Sequence, residues 1–275
     1  MTVVPLAERY ARGALVGVLN VTPDSFSDGG RYVSTRVALA HGRRLAAEGA
    51  AIVDVGGEST RPGAEPVPAE LEIERVLPVI EGLVGDGIAV SVDTSKAVVA
   101  QAALAAGAVL VNDVTALRGD RAMATVVADA GADLCLMHML GEPRTMQDDP
   151  RYDDVVGEVE AFLAERTEVA VAAGIARERI ALDPGIGFGK TLDHNLALLR
   201  AIPRLSALGP LLLGVSRKRF LGALSGREIA EDRVAASVAA ALYCYRGGAH
   251  LLRVHDVRAT ADALAVERAL EGTAC

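Results

Sequence analysis

Apolar residues alternate between two arrangements along this chain. Short, nearly continuous runs read, in order, ALVGVL, AIVDV, IAVSV, AVLVN, DLCLM, RIALD, LLLGV and HLLRV. Runs of this length, rich in Val, Ile and Leu, predict strands buried on both faces, as in a parallel sheet covered by helices. Between them lie stretches such as TRVALAHGRRLAAEGA, KAVVAQAALAAGA, RAMATVVADAGA and DDVVGEVEAFLAERTEVAVAAGI, whose apolar positions recur at helical spacing. Several close on Gly, the residue preferred just past a helix C-terminus. VPAELEIERVLPVIEGL also reads as a helix, one that Pro78 should bend or start late.

Eight strand–helix units follow one another without a long linker, a low-complexity segment or a block of like charge. This predicts an α/β protein, a single (β/α)8 TIM barrel over residues 1–275 with its core from about 13 to 270. A doubly wound open sheet is the alternative. Composition agrees: 51% of residues are hydrophobic but only 3% aromatic, with no Trp, so aliphatic side chains must fill the core. A net charge of −8 argues against a nucleic-acid or anionic-membrane surface and leaves a small molecule as the expected partner. Cys135, Cys244 and Cys275 are widely spaced and odd in number, which suits a reducing compartment better than a disulfide framework. The N-terminus carries Glu8, Arg9 and Arg12 before an apolar run too short to span a membrane, with no signal-peptide pattern, so a cytoplasmic protein is expected.

In such barrels the active site is built where the strands end. Here the ends read Asn20, Asp54 followed by GGESTRPG, Asp93, Asn112 with Asp113, Met137 with His138, Asp183, Ser216 with Lys218, and Arg253 with His255. One polar residue after one strand reads equally well as a turn former or a helix N-cap. Turn formation does not explain polar residues at nearly every strand end, all aimed at one face. Arg217, Lys218 and Arg219 together at a helix start oppose the helix dipole, a conflict that an anionic ligand would relieve.

The stretches GVLNVTPDSFSDGG, IVDVGGESTRPGA, SVDTSK, VND, LMHM, LDPGIGFGKT, GVSRKRFLG and RVHDV run from near residue 13 to near residue 258. In this order they resemble the dihydropteroate synthases, the folate-pathway family targeted by sulfonamides. Leu140 departs from the pattern, since many members carry a polar residue after MHM. The resemblance implies condensation of 6-hydroxymethyl-7,8-dihydropterin diphosphate with 4-aminobenzoate, giving 7,8-dihydropteroate and diphosphate.

It also implies roles, residue by residue. Asp93, Asn112, Met137, Asp183 and Lys218 would form the pterin pocket, with Asp93, Asp183 and Lys218 catalytic. An aminopyrimidine edge calls for a carboxylate and an amide, which Asp183 and Asn112 supply. Asp93 could stabilise positive charge spreading over the ring. Asn20, Arg61, Arg253 and His255 would hold diphosphate, with Asn20 placing a Mg²⁺ ion that keeps several waters. Thr60, Pro62, Phe188, Ser216 and Lys218 would line the aminobenzoate slot, aided by backbone N–H groups at the helix start after Ser216.

The loops after strands 1 and 2, VTPDSFSDGG with Asp24, Phe26, Gly29 and Gly30, and GESTRPGAEP, are expected to be mobile and to close over aminobenzoate. No nucleophile stands beside a base, which suits a dissociative displacement. The family's dimer points to a homodimer through VAASVAAALYCYRGG and ATADALAVERALEG. Two other readings share the fold: a pterin-binding methyltransferase, which would have no use for ESTRPG and SRKRFLG, and a paralogue without synthase activity.

Overall fold

A computed structural model describes residues 4–22, 31–59, 66–141 and 145–272. All eight apolar runs form strands: β1 (Ala14–Asn20), β2 (Ala50–Gly56), β3 (Val90–Asp93), β4 (Leu110–Asp113), β5 (Asp133–Met137), β6 (Ile180–Asp183), β7 (Leu212–Gly214) and β8 (Leu251–Val254). They pair in parallel in the order β6-β5-β4-β3-β2-β1-β8-β7. A parallel bridge between Leu182 and Leu211 joins the two ends of this order, beside a 2.9 Å bond from the Leu182 N–H to the Pro210 carbonyl. The sheet therefore closes into a barrel, and the open-sheet alternative falls.

The helices are α1 (Leu6–Arg9), α2 (Arg31–Ala47), α3 (Ala69–Gly85), α4 (Ala97–Ala105), α5 (Met123–Ala130), α6 (Val155–Ala172), α7 (Leu192–Arg200), α8 (Ile202–Leu205), α9 (Arg219–Ser225), α10 (Val234–Arg246) and α11 (Val257–Leu270). Pro78 lies inside α3, which nonetheless runs as one element. The late start that the sequence allowed does not occur, since α3 begins at Ala69: Val76, Val79, Ile80 and Leu83 are buried on both sides of the proline, and this packing outweighs the one donor it removes.

Two apolar layers explain why the strands read as continuous runs. Residues such as Val53, Val55, Val92, Val111, Leu134 and Leu136 belong to the large core shared with the helices. Ala14, Val16, Ile52, Leu110, Cys135, Ala181, Leu212 and Leu251 form a second, smaller core with Leu6 of the short N-terminal helix α1 (Leu6–Arg9). Strand side chains repeat on one face every second residue. Two positions beyond this inner layer the chemistry changes: Ile52 gives way to Asp54, Leu110 to Asn112, Ala181 to Asp183 and Leu251 to Arg253. The barrel is thus dry at one end and polar at the end where the strands stop.

Cys135 and Cys244 are buried free thiols, and Cys275 lies outside the described residues. Among the described residues no helix is long and apolar enough to cross a membrane.

Candidate active site

Arg253 on β8 is held between two carboxylates from other strands. Its Nε donates to Asp54 Oδ2 at 2.6 Å and its Nη2 to Asp93 Oδ2 at 2.7 Å. Asp54 Oδ2 also accepts from Asn112 Nδ2 at 3.2 Å, so residues from β2, β3, β4 and β8 meet in one network. The remaining oxygens, Asp54 Oδ1 and Asp93 Oδ1, are buried without a hydrogen-bond partner. Such groups are costly unless something else satisfies them, and a bound ligand or water is the ordinary answer. Burial pushes the Asp93 carboxyl up to about 7 although Arg253 opposes the shift, with Asp54 adding to it. Burial alone would lower the Arg253 pKa, but Asp54 and Asp93 hold it above its ordinary value, so Arg253 stays charged.

Asp183 at the end of β6 accepts the Gly185 N–H on Oδ1 at 2.7 Å. The turn-forming and ligand-binding readings of this residue are therefore not exclusive: one oxygen shapes the turn and Oδ2 has no protein partner among the described residues. Its carboxyl is raised by burial, against the Gly185 bond and Lys218. Gly185 has φ +68°, and a Cβ there would lie 1.8 Å from the His138 carbonyl oxygen, so only glycine permits this approach of the β6 loop to the end of β5. The contact is reinforced by Lys190, which is buried with Nζ 3.0 Å from His138 Nδ1 and donates to the Phe188 carbonyl at 2.9 Å. His138 is pushed down to about 3 by burial and by Lys190, so it stays neutral and its Nδ1 can accept. Burial also lowers Lys190, to about 7.

Through this loop Phe188 joins Met137, Met139, Met146 and Val114 in an apolar wall. The Phe188 ring also meets Lys218, whose Nζ lies 4.1 Å from the ring centroid. Lys218 is the N-cap of α9 and is half-buried. Burial lowers its pKa to about 8 despite Asp183. Its neighbour Arg217, with φ +59°, donates to Asp256 from Nε at 3.0 Å and from Nη2 at 2.6 Å. The cluster of cations at this helix start is thus partly neutralised within the protein.

Ser216 Oγ lies 3.2 Å from both the backbone N and the Nδ1 of His255. The resemblance places His255 among the residues that would hold diphosphate. Burial, with Arg253 and Arg217 nearby, lowers it to about 3, so in the free protein it is a neutral hydrogen-bonding group. Helix α9 spans seven residues, and Arg219 opens it, so the helix start after Ser216 is short. Asn20 ends β1 beside Gly56: a Cβ at Gly56 would lie 3.6 Å from Asn20 Oδ1 and 3.5 Å from Asp93 Cβ. Among the described residues no group of three or more His, Cys, Asp or Glu is arranged to hold a metal.

The barrel thus gathers Asn20, Asp93, Asn112, Met137, Asp183, Phe188, Ser216, Lys218, Arg253 and His255 at one end. Asp24, Phe26, Gly29, Gly30, Thr60, Arg61 and Pro62 lie outside the described residues. Leu140 sits against the β6 loop, where a Cβ at Gly189 would come within 2.8 Å of it. The sequence reading assigned no role to Asp54 or Lys190. Asp54 carried a signal, since it falls in the inward phase of β2 with Ile52 and Gly56; Lys190 carried none beyond its place in GFGKT.

Comparison with known proteins gives this arrangement a counterpart. Residues 16–255 match the family of pterin binding enzymes. The dihydropteroate synthase of Neisseria meningitidis serogroup B is 51% identical over 262 residues, covering 93% of this chain and 92% of that one. The structure of Xanthomonas albilineans dihydropteroate synthase with 4-aminobenzoic acid superposes with a TM-score of 0.90 at 54% identity, covering 95% and 94% of the two chains. A second structure from that organism, in complex with 7,8-dihydropteroate, gives 0.86 at 50% identity over the same shares.

Proposed function

We propose a division of labour for the residues of this chain, which belongs to the dihydropteroate synthase family of pterin-binding enzymes. It is a transferase that condenses 6-hydroxymethyl-7,8-dihydropterin diphosphate with 4-aminobenzoate and releases diphosphate and 7,8-dihydropteroate. The observation that carries the residue assignment is the closed polar network at the strand ends, with its unpartnered buried carboxylate oxygen on Asp93.

In the proposed reaction Asp183 Oδ2 and the Asn112 amide receive the donor and acceptor edge of the pterin, and Met137 covers its ring. Lys218 donates to the ring from its place over Phe188. The bond between the pterin methylene carbon and the diphosphate oxygen breaks, and its electron pair leaves with diphosphate. The ionised Asp93 stabilises the cation that remains, the aminobenzoate nitrogen forms the new C–N bond, and its proton passes to solvent. Arg253 and the neutral His255 hold the departing diphosphate by hydrogen bonds, with Arg61 as a further cation. Ser216, Phe188 and Lys218, with Thr60 and Pro62, line the aminobenzoate slot.

The test is diphosphate release measured across pH with one substrate and with both. Release should require both substrates, and kcat/KM for pterin diphosphate should follow a narrow bell. The acid limb lies near 7, where Asp93 gains a proton, and the alkaline limb near 8, where Lys218 loses one. A profile flat from pH 6 to about 9 would remove the charge roles of both residues.

Mg²⁺ fits the donor set through one neutral oxygen, that of Asn20, with waters and diphosphate completing the shell. When bound it would offset negative charge on the leaving group. Equilibrium dialysis should therefore find little Mg²⁺ on the free protein and stoichiometric Mg²⁺ once diphosphate is added. Tight binding to the free protein would refute this assignment.

A homodimer through α10 and α11 is also proposed, supported by the exposed Tyr243, Val266 and Leu270 on these helices. A sedimentation mass of one chain would exclude it. The free buried thiols Cys135 and Cys244 support a cytoplasmic setting, and recovery of the native protein from an exported fraction would oppose it.

A further inference from the structure

We infer that Asp54 is a positioning residue that couples the pterin floor to the diphosphate clamp, through one carboxylate oxygen shared by Asn112 and Arg253. The inference rests on the roles proposed above for those two residues. Asp54 is 1% exposed and lies on β2 in register with Val18 of β1 and Ser91 of β3. One of its oxygens is shared by Asn112 and Arg253, and through them it acts on both halves of the site.

Two geometric consequences follow from the shared oxygen. An asparagine amide has two nearly isosteric orientations, and only its NH₂ can donate to a carboxylate. The 3.2 Å bond from Asn112 Nδ2 to Asp54 Oδ2 therefore selects one orientation and frees Asn112 Oδ1 as an acceptor. An arginine held at one nitrogen can still rotate, whereas one held at two has its plane defined. Bonds from Nε to Asp54 and from Nη2 to Asp93 define the Arg253 plane and leave Nη1 for a ligand. Asp93 cannot replace Asp54 in this role, because it is bonded to Arg253 and not to Asn112.

Such coupling has a signature that general structural support lacks. Residues in one hydrogen-bonded network show non-additive effects, whereas independent sites add. The experiment is calorimetry on the full chain with 6-hydroxymethylpterin, and separately with inorganic diphosphate plus Mg²⁺, titrated to millimolar ligand. The variants are Asp54→Ala, Asn112→Ala, Arg253→Ala and the double substitutions Asp54→Ala/Asn112→Ala and Asp54→Ala/Arg253→Ala.

Asp54→Ala should weaken each ligand by about tenfold. That loss should vanish for the pterin in the Asn112→Ala background and for diphosphate in the Arg253→Ala background. Undiminished losses in those backgrounds, or wild-type binding of both ligands by Asp54→Ala, overturn the inference. Wild-type binding by Asn112→Ala or Arg253→Ala instead overturns the roles proposed for those residues, and the inference falls with them. If Asp54→Ala does not fold, Asp54→Asn takes its place in the same cycle, since it keeps the shape and removes the charge that Arg253 requires.

Discussion

Arg253→Ala is expected to lower the stability of the folded chain by about 3–5 kcal/mol at pH 8, the usual cost of removing one partner from a buried ion pair, and to weaken diphosphate binding by about tenfold to a hundredfold. The side chain satisfies two carboxylates, Asp54 and Asp93, that are themselves almost fully buried. Without it both charges lose their partner, and the group that can yield most readily is Asp93. Its folded pKa already lies near 7, against an ordinary 3.8, and Arg253 is the influence holding it down.

Loss of Arg253 should therefore raise the Asp93 pKa further. A carboxyl whose folded pKa exceeds its unfolded value contributes stability below about pH 4 that is lost as pH rises through the folded pKa. The gap between wild type and variant should thus be smaller at pH 6, where Asp93 takes up a proton, and wider at pH 8. Urea unfolding of both proteins at the two pH values measures it. Equal stability at pH 8 would mean that Asp54 and Asp93 do not depend on Arg253.

The second large effect is expected at Asp183, and two variants separate its two jobs. Asp183→Ala removes both the bond to the Gly185 N–H and the oxygen proposed to face the pterin, and should weaken pterin diphosphate binding by about 1–3 kcal/mol while loosening the β6 loop. Asp183→Asn keeps an oxygen for Gly185 but places an NH₂ where the pterin donors need an acceptor. It should lose nearly the same affinity with the loop intact. Calorimetry gives the affinities, and hydrogen exchange at Gly185 reports the loop. If Asp183→Asn binds pterin diphosphate like the wild type, the residue shapes the turn and does nothing more.

The fold was legible because its signals are local. Each strand announced itself as an apolar run, since a strand covered on both faces has few polar positions to spend, and each run was followed by helix-periodic sequence. The strand ends were legible for the same reason: a polar residue two positions beyond an inward apolar one, as in Leu110 and Asn112 or Ala181 and Asp183, marks where the barrel interior stops being dry. The late helix start allowed by Pro78 is not taken because the helix rule is local and the packing of Val76, Val79, Ile80 and Leu83 is not.

The electrostatic partners within the site could not be read this way. Arg253 pairs with carboxylates 199 and 160 positions away, and the Lys190–His138 contact spans 52 positions. Nothing in RVHDV states that its histidine will be neutral, or in SRKRFLG that its first arginine will be taken up by Asp256. Element type and inward phase depend on neighbours along the chain, so the sequence by itself determined the barrel and the end of it that carries chemistry. Charge state and pairing depend on burial and on separations of a few ångströms. Only closure of the barrel, which brings β2, β3, β4 and β8 around one guanidinium, decided which carboxylate holds Arg253, which oxygen is left for a ligand and which side chains carry their charge.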